Sequence, residues 1–367
     1  MYKQIELINS VKSFDLSDGL CYLNSEGWII SSNTYLEKLD AFARINVLNK
    51  LLFWQSHYGY FQVYDLSSKK NIYASKNKVN EVSIGIFPEI LPESKIIVNI
   101  KEETNKAVGV LNLYSGDIEV VNLSASRFYI FLAEYEMLIC VSEVISAYHY
   151  PDLRDLWTYA PKGFYYNMLK HTLVEEVRFI LGIRNSFLWV SLSSGNIVGL
   201  DVLSGVYCKN IGHNEVSKDI FPYLKEGDSV PHGDKMQLDV TSGELITLRN
   251  KYYIYANLND LEPWLDYIDV SDSMGKHQLE SSYRNNVFPI DENYIYFCDD
   301  RRGKIGVFDR HKREVVWSYE LEMERSGIAQ ILEMKYANDR WYILDRNDTL
   351  HVFERIKINE TNQQTKP

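Results

Sequence analysis

The sequence predicts an all-β chain folded as a single β-propeller of four-stranded antiparallel blades, with eight blades preferred over seven. Three observations lead there. Aromatic residues make up 13% of the chain, with 27 Tyr, 15 Phe and 7 Trp. Tyr joins an apolar body to a polar tip, which suits half-buried strands. Short alternating apolar and polar runs recur from end to end, separated by turns rich in Ser, Gly, Asp or Lys. The number of copies also fits, although the first two are short. Eight across 367 residues gives roughly 46 residues each, within the roughly 40–50 of common propeller repeats.

Tyr2–Ile8 alternates well enough to act as an outer strand for the last copy, which stops one strand short. Copies then run over Leu20–Ala41, Leu51–Ala74, Lys95–Val121 and Met137–Tyr159. They continue over Phe187–Lys209, Glu244–Val270, Tyr294–Tyr319 and Arg340–Arg355. Between copies lies one further apolar stretch, such as Val82–Phe87 or Val177–Ile183, which brings each unit to four strands. Closure by Tyr2–Ile8 would remove the unpaired edges an open ring leaves. The expected organisation is a propeller over residues 1–356 and a polar tail over 357–367. A two-domain sandwich would use similar strands but gives no reason for one motif to recur throughout.

The two sharpest copies carry a resemblance. Around Gly195–Gly205 and Lys304–Trp317, a strand ends in Asp201 or Asp309 and a turn follows, with Trp317 after the second. This pattern resembles blades of the quinoprotein-like and WD-repeat propeller superfamilies, and what it implies is the fold. No Trp-Asp dipeptide closes a blade, the sole Gly-His is Gly212-His213, and no Gly-Gly occurs. Most copies also lack the Gly and Trp pair of a quinone-binding propeller, so no cofactor is expected.

Charge and composition narrow the partners. Hydrophobic residues at 46% and charged residues at 24% describe a chain with a real core. A net charge of −11 disfavours nucleic acid and anionic membrane, and it assists encounter with a basic protein. The N-terminus has no basic segment followed by an apolar one, and no apolar run approaches the roughly 18–20 residues that cross a bilayer. Cys21, Cys140, Cys208 and Cys298 are far apart. They are expected as buried or half-buried thiols in a reducing, cytoplasmic setting.

Catalytic signatures are missing. Neither G-x-G-x-x-G nor G-x-x-x-x-G-K-[ST] occurs, and G-x-S-x-G, H-x-x-x-H, H-E-x-x-H and C-x-x-C are also absent. The eight histidines are scattered, and the basic runs Arg301–Lys304 and Arg310–Arg313 read as solvated turns. The carboxylate pairs Glu175-Glu176 and Asp299-Asp300 define no acid/base geometry.

The connections say more. Three long inserts, Pro161–Glu176, Gly212–Lys235 and Ser271–Asn286, interrupt the repeat between an outer strand and the next inner one. In the first, Phe164–Val174 has apolar spacing compatible with a short helix. Long loops on a rigid scaffold are where function usually sits. The candidate protein-contact residues are Tyr165, Tyr166 and His171 on the first insert. On the second they are Asp219, Phe221, Tyr223, Asp228, His232 and Asp234.

The sequence therefore reads as a non-enzymatic propeller that binds a basic protein, one concrete form being an inhibitor or immunity protein against a toxin or nuclease. Two alternatives stand beside it. One is a ligand-binding or enzymatic propeller with its site at the central channel; the other is a scaffold subunit of a larger assembly.

Overall fold

The computed structural model describes all residues except 17–19, 25–27, 32–33, 39–43, 49, 56–60, 75–80, 85–89, 103–104, 124–125, 127, 167–170, 212–235, 250, 282–287, 323–330 and 357–367. By internal contact the chain divides into two compact units. One is Lys12–Asp234, and the other combines Met1–Val11 with Lys235–Pro367.

In the first unit, four-stranded antiparallel sheets with strands paired in chain order follow one another, except that one sheet has a fifth, two-residue strand, Ile90–Leu91, which pairs with Lys95–Glu102 beside Glu81–Ile84. One comprises Phe128–Leu132, Met137–Val141, Ile145–His149 and Asp155–Tyr159, and another Val177–Arg184, Phe187–Leu192, Ile197–Asp201 and Tyr207–Ile211. The inner strands are short apolar runs buried on both faces, as Met137–Val141 is along its whole length. In the second sheet Leu188, Val190, Val198 and Leu200 are buried, whereas the fourth strand, Tyr207–Ile211, is mostly exposed.

The second unit repeats the plan. Gln237–Asp239, Glu244–Arg249, Tyr252–Asn257 and Asp266–Asp269 form one sheet. Tyr294–Asp299, Lys304–Asp309 and Glu314–Glu320 form the next, and Ile290 bridges to Ile295 beside it. Ile331–Ala337, Arg340–Asp345 and Leu350–Arg355 form the last, and Tyr2–Ile8 supplies its fourth strand. Tyr2 lies opposite Arg355 and Ile8 opposite Leu350, so the N-terminal strand covers the edge the last copy leaves open, as its alternation predicts. Tyr2 itself is buried against Tyr296 and Trp317, at ring distances of 5.9 and 5.5 Å.

A five-residue turn recurs at the strand ends. Asp201 Oδ1 accepts the Ser204 amide at 2.9 Å and its Oγ at 2.7 Å, while the Gly205 amide donates to the Asp201 carbonyl at 2.8 Å. Asn112, Asp239 and Asp309 close the same loop onto Gly116, Gly243 and Arg313. The fifth residue is left-handed each time, with φ of +68° at Gly205. Glycine takes that conformation without steric cost, and the Asp or Asn carboxyl or amide oxygen satisfies the turn amides.

Three expectations need correction. Phe164–Val174 is not a helix. Phe164–Tyr166 and Thr172–Val174 pair antiparallel as a hairpin, in keeping with their aromatic and β-branched residues. The helical insert is the third, where Ser271–Lys276 forms a short helix that buries Met274. Cys208 is exposed, unlike the buried Cys21, Cys140 and Cys298, because it sits on an outer strand. Arg310 is not a solvated turn residue. Its side chain is buried in an ion-pair cluster with Asp239 and Glu244, both at 2.8 Å.

Candidate protein-interaction site

The first insert builds the best-described site. The strands Phe164–Tyr166 and Thr172–Val174 place Phe164 opposite Val174 and Tyr165 opposite Leu173. Side chains alternate between the faces of a strand. Tyr165 turns inward at 5% exposure, whereas Phe164 and Val174 stand outward at 70% and 59%. The Phe164–Val174 pair is therefore an apolar cross-strand surface facing solvent.

The hairpin's base is fastened by a carboxylate. Glu175 is buried, and its Oε1 accepts the Ser194 amide at 2.8 Å and Ser193 Oγ at 3.0 Å. Ser193 Oγ in turn accepts the Glu176 amide at 2.9 Å, and the Ser193 amide donates to the Glu176 carbonyl at 2.9 Å. These bonds tie the insert to the turn between Phe187–Leu192 and Ile197–Asp201. The Glu175 amide also donates to Gly163 O at 3.2 Å, closing the hairpin's own ends. A loop so fixed loses little entropy when it is bound.

Below the insert runs a groove of about 620 Å³, lined among others by Tyr159, Lys162, Glu175, Asn196, Tyr207 and Asn210. Burial pushes the Tyr159 hydroxyl up to about 12, and Tyr207 and Glu175 nearby add to the rise. The groove therefore presents phenol and amide groups, one lysine and one carboxylate. That is a surface able to accept hydrogen bonds from a side chain or loop inserted into it. Among the described residues, no group of three or more His, Cys, Asp or Glu is placed to hold a metal, and no helix is long and apolar enough to cross a membrane.

Of the residues the sequence singles out, the structure brings Tyr165, Tyr166 and His171 onto this hairpin. Tyr165 is inward and His171 exposed. Asp219, Phe221, Tyr223, Asp228, His232 and Asp234 lie outside the described residues. Sequence reading passed over Phe164, Val174, Glu175 and Tyr207. The alternation within Phe164–Tyr166 was the available signal for Phe164, since it puts Phe164 and Tyr165 on opposite faces. Nothing local marks Glu175, whose partners are 18 and 19 residues away.

No protein-family model and no curated protein matches the sequence. Solved structures do. BamB from Moraxella catarrhalis is similar at a TM-score of 0.61 and 12% identity, over 97% of this chain and 100% of that one. The C-terminal WD40 domain of Sif2 is similar at 0.61 and 11%, over 97% and 99%. The computationally designed Ika8 protein is similar at 0.55 and 8%, over 96% and 98%. At these identities the likeness establishes the fold alone. The chain is a β-propeller built of four-stranded antiparallel sheets. It resembles the WD-repeat and quinoprotein-like propellers, as the turns after Asp201 and Asp309 imply.

Proposed function

We propose that this chain is a non-enzymatic, cytoplasmic protein-binding propeller, with eight blades in one ring over residues 1–356. It engages its partner through the first insert. The observation that carries this reading is the outward Phe164–Val174 pair on a hairpin fastened by Glu175. A rigid apolar surface beside a polar groove has the make-up of an interface core and its rim. The net charge of −11 favours a basic partner. One form of that role is inhibition of a basic toxin or nuclease, with the insert covering the active site.

The test is co-purification from the native host with Phe164→Ser/Val174→Ser, beside a second variant carrying Asp219→Lys, Asp228→Lys and Tyr223→Ala. The wild-type chain should retain one stoichiometric basic partner, and the hairpin variant should lose it at unchanged thermal stability. Retention by the hairpin variant would remove this site. Retention by the second variant alone would remove only the Gly212–Lys235 insert from the interface. Recovery of a partner with nuclease or toxin activity, blocked in the complex, would establish the inhibitory form.

A further inference from the structure

The sheet Gln237–Asp239, Glu244–Arg249, Tyr252–Asn257, Asp266–Asp269 carries a second apolar surface, separate from the hairpin. Three side chains on two adjoining turns point into solvent: Val240 at 69%, Leu261 at 88% and Trp264 at 67% exposure. The turns are bonded together. The Leu258 amide donates to Gly243 O at 3.0 Å, and Asn259 Nδ2 donates to Ser242 O at 2.8 Å. The loop between Asn257 and Asp266 is also anchored, with the Asn259 amide on Asn257 Oδ1 at 3.0 Å and the Asp260 amide on Asn257 O at 3.2 Å. Leu258 and Leu265 from the same loop are buried. The loop thus has a core-facing side already satisfied by leucines, and it holds Leu261 and Trp264 outward on a fixed frame.

Large apolar side chains displayed together on a fixed loop mark an interaction site, and Trp is enriched among the residues that dominate binding. Charge identifies the partner's chemistry. The loop 258–266 that carries Leu261 and Trp264 contains Asp260, Glu262 and Asp266 and neither Lys nor Arg, whereas Asp269 beyond it is paired with Lys251 at 3.1 Å. An acidic rim repels an anionic bilayer, and it repels a second copy of itself. It attracts a segment whose apolar stripe is flanked by Lys and Arg. We propose that Val240, Leu261 and Trp264 form a docking surface for a basic amphipathic helix of a partner protein. This surface is distinct from the hairpin and does not depend on it.

The test titrates the full chain with a synthetic Leu–Lys amphipathic peptide and follows binding by calorimetry. A Leu–Glu peptide of the same apolar pattern serves as control. The Leu–Lys peptide should bind, more weakly as salt rises, and the Leu–Glu peptide should not. Leu261→Ser/Trp264→Ser should weaken binding by at least about tenfold, the equivalent of about 1.4 kcal/mol. The single Leu261→Ser change provides a second, milder variant, and circular dichroism verifies the fold of both. Phe164→Ser/Val174→Ser should leave peptide affinity unchanged, so failure here is distinguishable from failure of the hairpin reading. Equal binding by wild type and the double variant, or equal binding of the two peptides, overturns the proposal. So does a Trp264-dependent fluorescence shift on phosphatidylcholine or mixed phosphatidylglycerol vesicles, which would assign the patch to lipid. Self-association lost in Trp264→Ser would assign it to a second copy and overturn the proposal likewise.

Discussion

Arg310 Nη1 donates to Asp239 Oδ2 at 2.8 Å, from the turn before the last strand of one sheet to the turn after the first strand of the preceding one, 71 residues earlier. Its Nη2 donates to Glu244 Oε2 at 2.8 Å, and Nη1 also reaches the carbonyls of Asp291 and Glu292 at 2.8 and 3.2 Å. One guanidinium thus joins both carboxylates and the loop leading into its own sheet. Burial works to raise the Asp239 carboxyl, but the bonds from Arg310 and Ser242 outweigh it and hold the group below the ordinary carboxylate range.

Removing that guanidinium leaves two carboxylates facing one another without a cation. Arg310→Met should lower stability by about 3–5 kcal/mol. Asp239→Asn tests the pH dependence. Because the folded pKa of Asp239 is depressed, its ion pair stabilises above the unfolded-chain value, and that contribution is lost as pH falls through the folded one. The melting-temperature gap between wild type and Asp239→Asn should therefore be widest near neutrality and close in acid. A gap independent of pH would refute the assignment.

Gly205 faces the ring of Trp157, whose Nε1 donates to Val202 O at 3.1 Å. A Cβ at Gly205 would run into the indole, and the φ of +68° is unfavourable to any L side chain. Gly205→Ala should cost more than the ~1–2 kcal/mol of the left-handed backbone alone. Adding Trp157→Ala should relieve part of it, so a denaturation double-mutant cycle should be non-additive.

Tyr2 donates its hydroxyl to Tyr296, whose own hydroxyl donates to Asp291 Oδ2 at 2.7 Å. Tyr2→Phe should cost about 1 kcal/mol for the lost bond. Deleting residues 2–8 should do more. It uncovers the edge of Leu350–Arg355, so sedimentation should show self-association together with a lower melting temperature.

Glu175→Gln keeps an acceptor for Ser193 and Ser194, whereas Glu175→Ala removes it. The alanine variant should lose about 1–3 kcal/mol and the glutamine variant less. Limited proteolysis within residues 160–176 should quicken in the alanine variant alone. Equal proteolysis of both would mean that Glu175 does not fasten the hairpin.

The thiols should separate cleanly under an aromatic disulfide reagent. Cys208 is exposed and should react in the native chain. Burial pushes the Cys21 and Cys140 thiols up to about 12, and it raises that of Cys298 strongly, with Asp300 and Asp299 adding to the effect. These three should react only after denaturation, since the thiolate is the nucleophile.

The sequence by itself determined the strands and their grouping. A short apolar run bounded by turn residues is a local property, so Phe187–Leu192, Ile197–Asp201 and the Asp-headed turn after them are legible without coordinates. The need to cover the last edge pointed to Tyr2–Ile8 for the same reason: an alternating run was left over, and one copy was a strand short. Only the tertiary structure decided which turn residues are buried. The turn Arg310–Arg313 looks solvated in sequence, yet Arg310 meets Asp239 and Glu244 because the packing of successive sheets brings together turns about 70 residues apart. The same holds at the insert. Its apolar spacing fits a helix or a hairpin equally well, and the bonds of Glu175 to Ser193 and Ser194 help fix the hairpin that turns Phe164 outward. Local pattern fixes period and strand, whereas long-range hydrogen bonding and charge pairing decide which side chains are left to meet a partner.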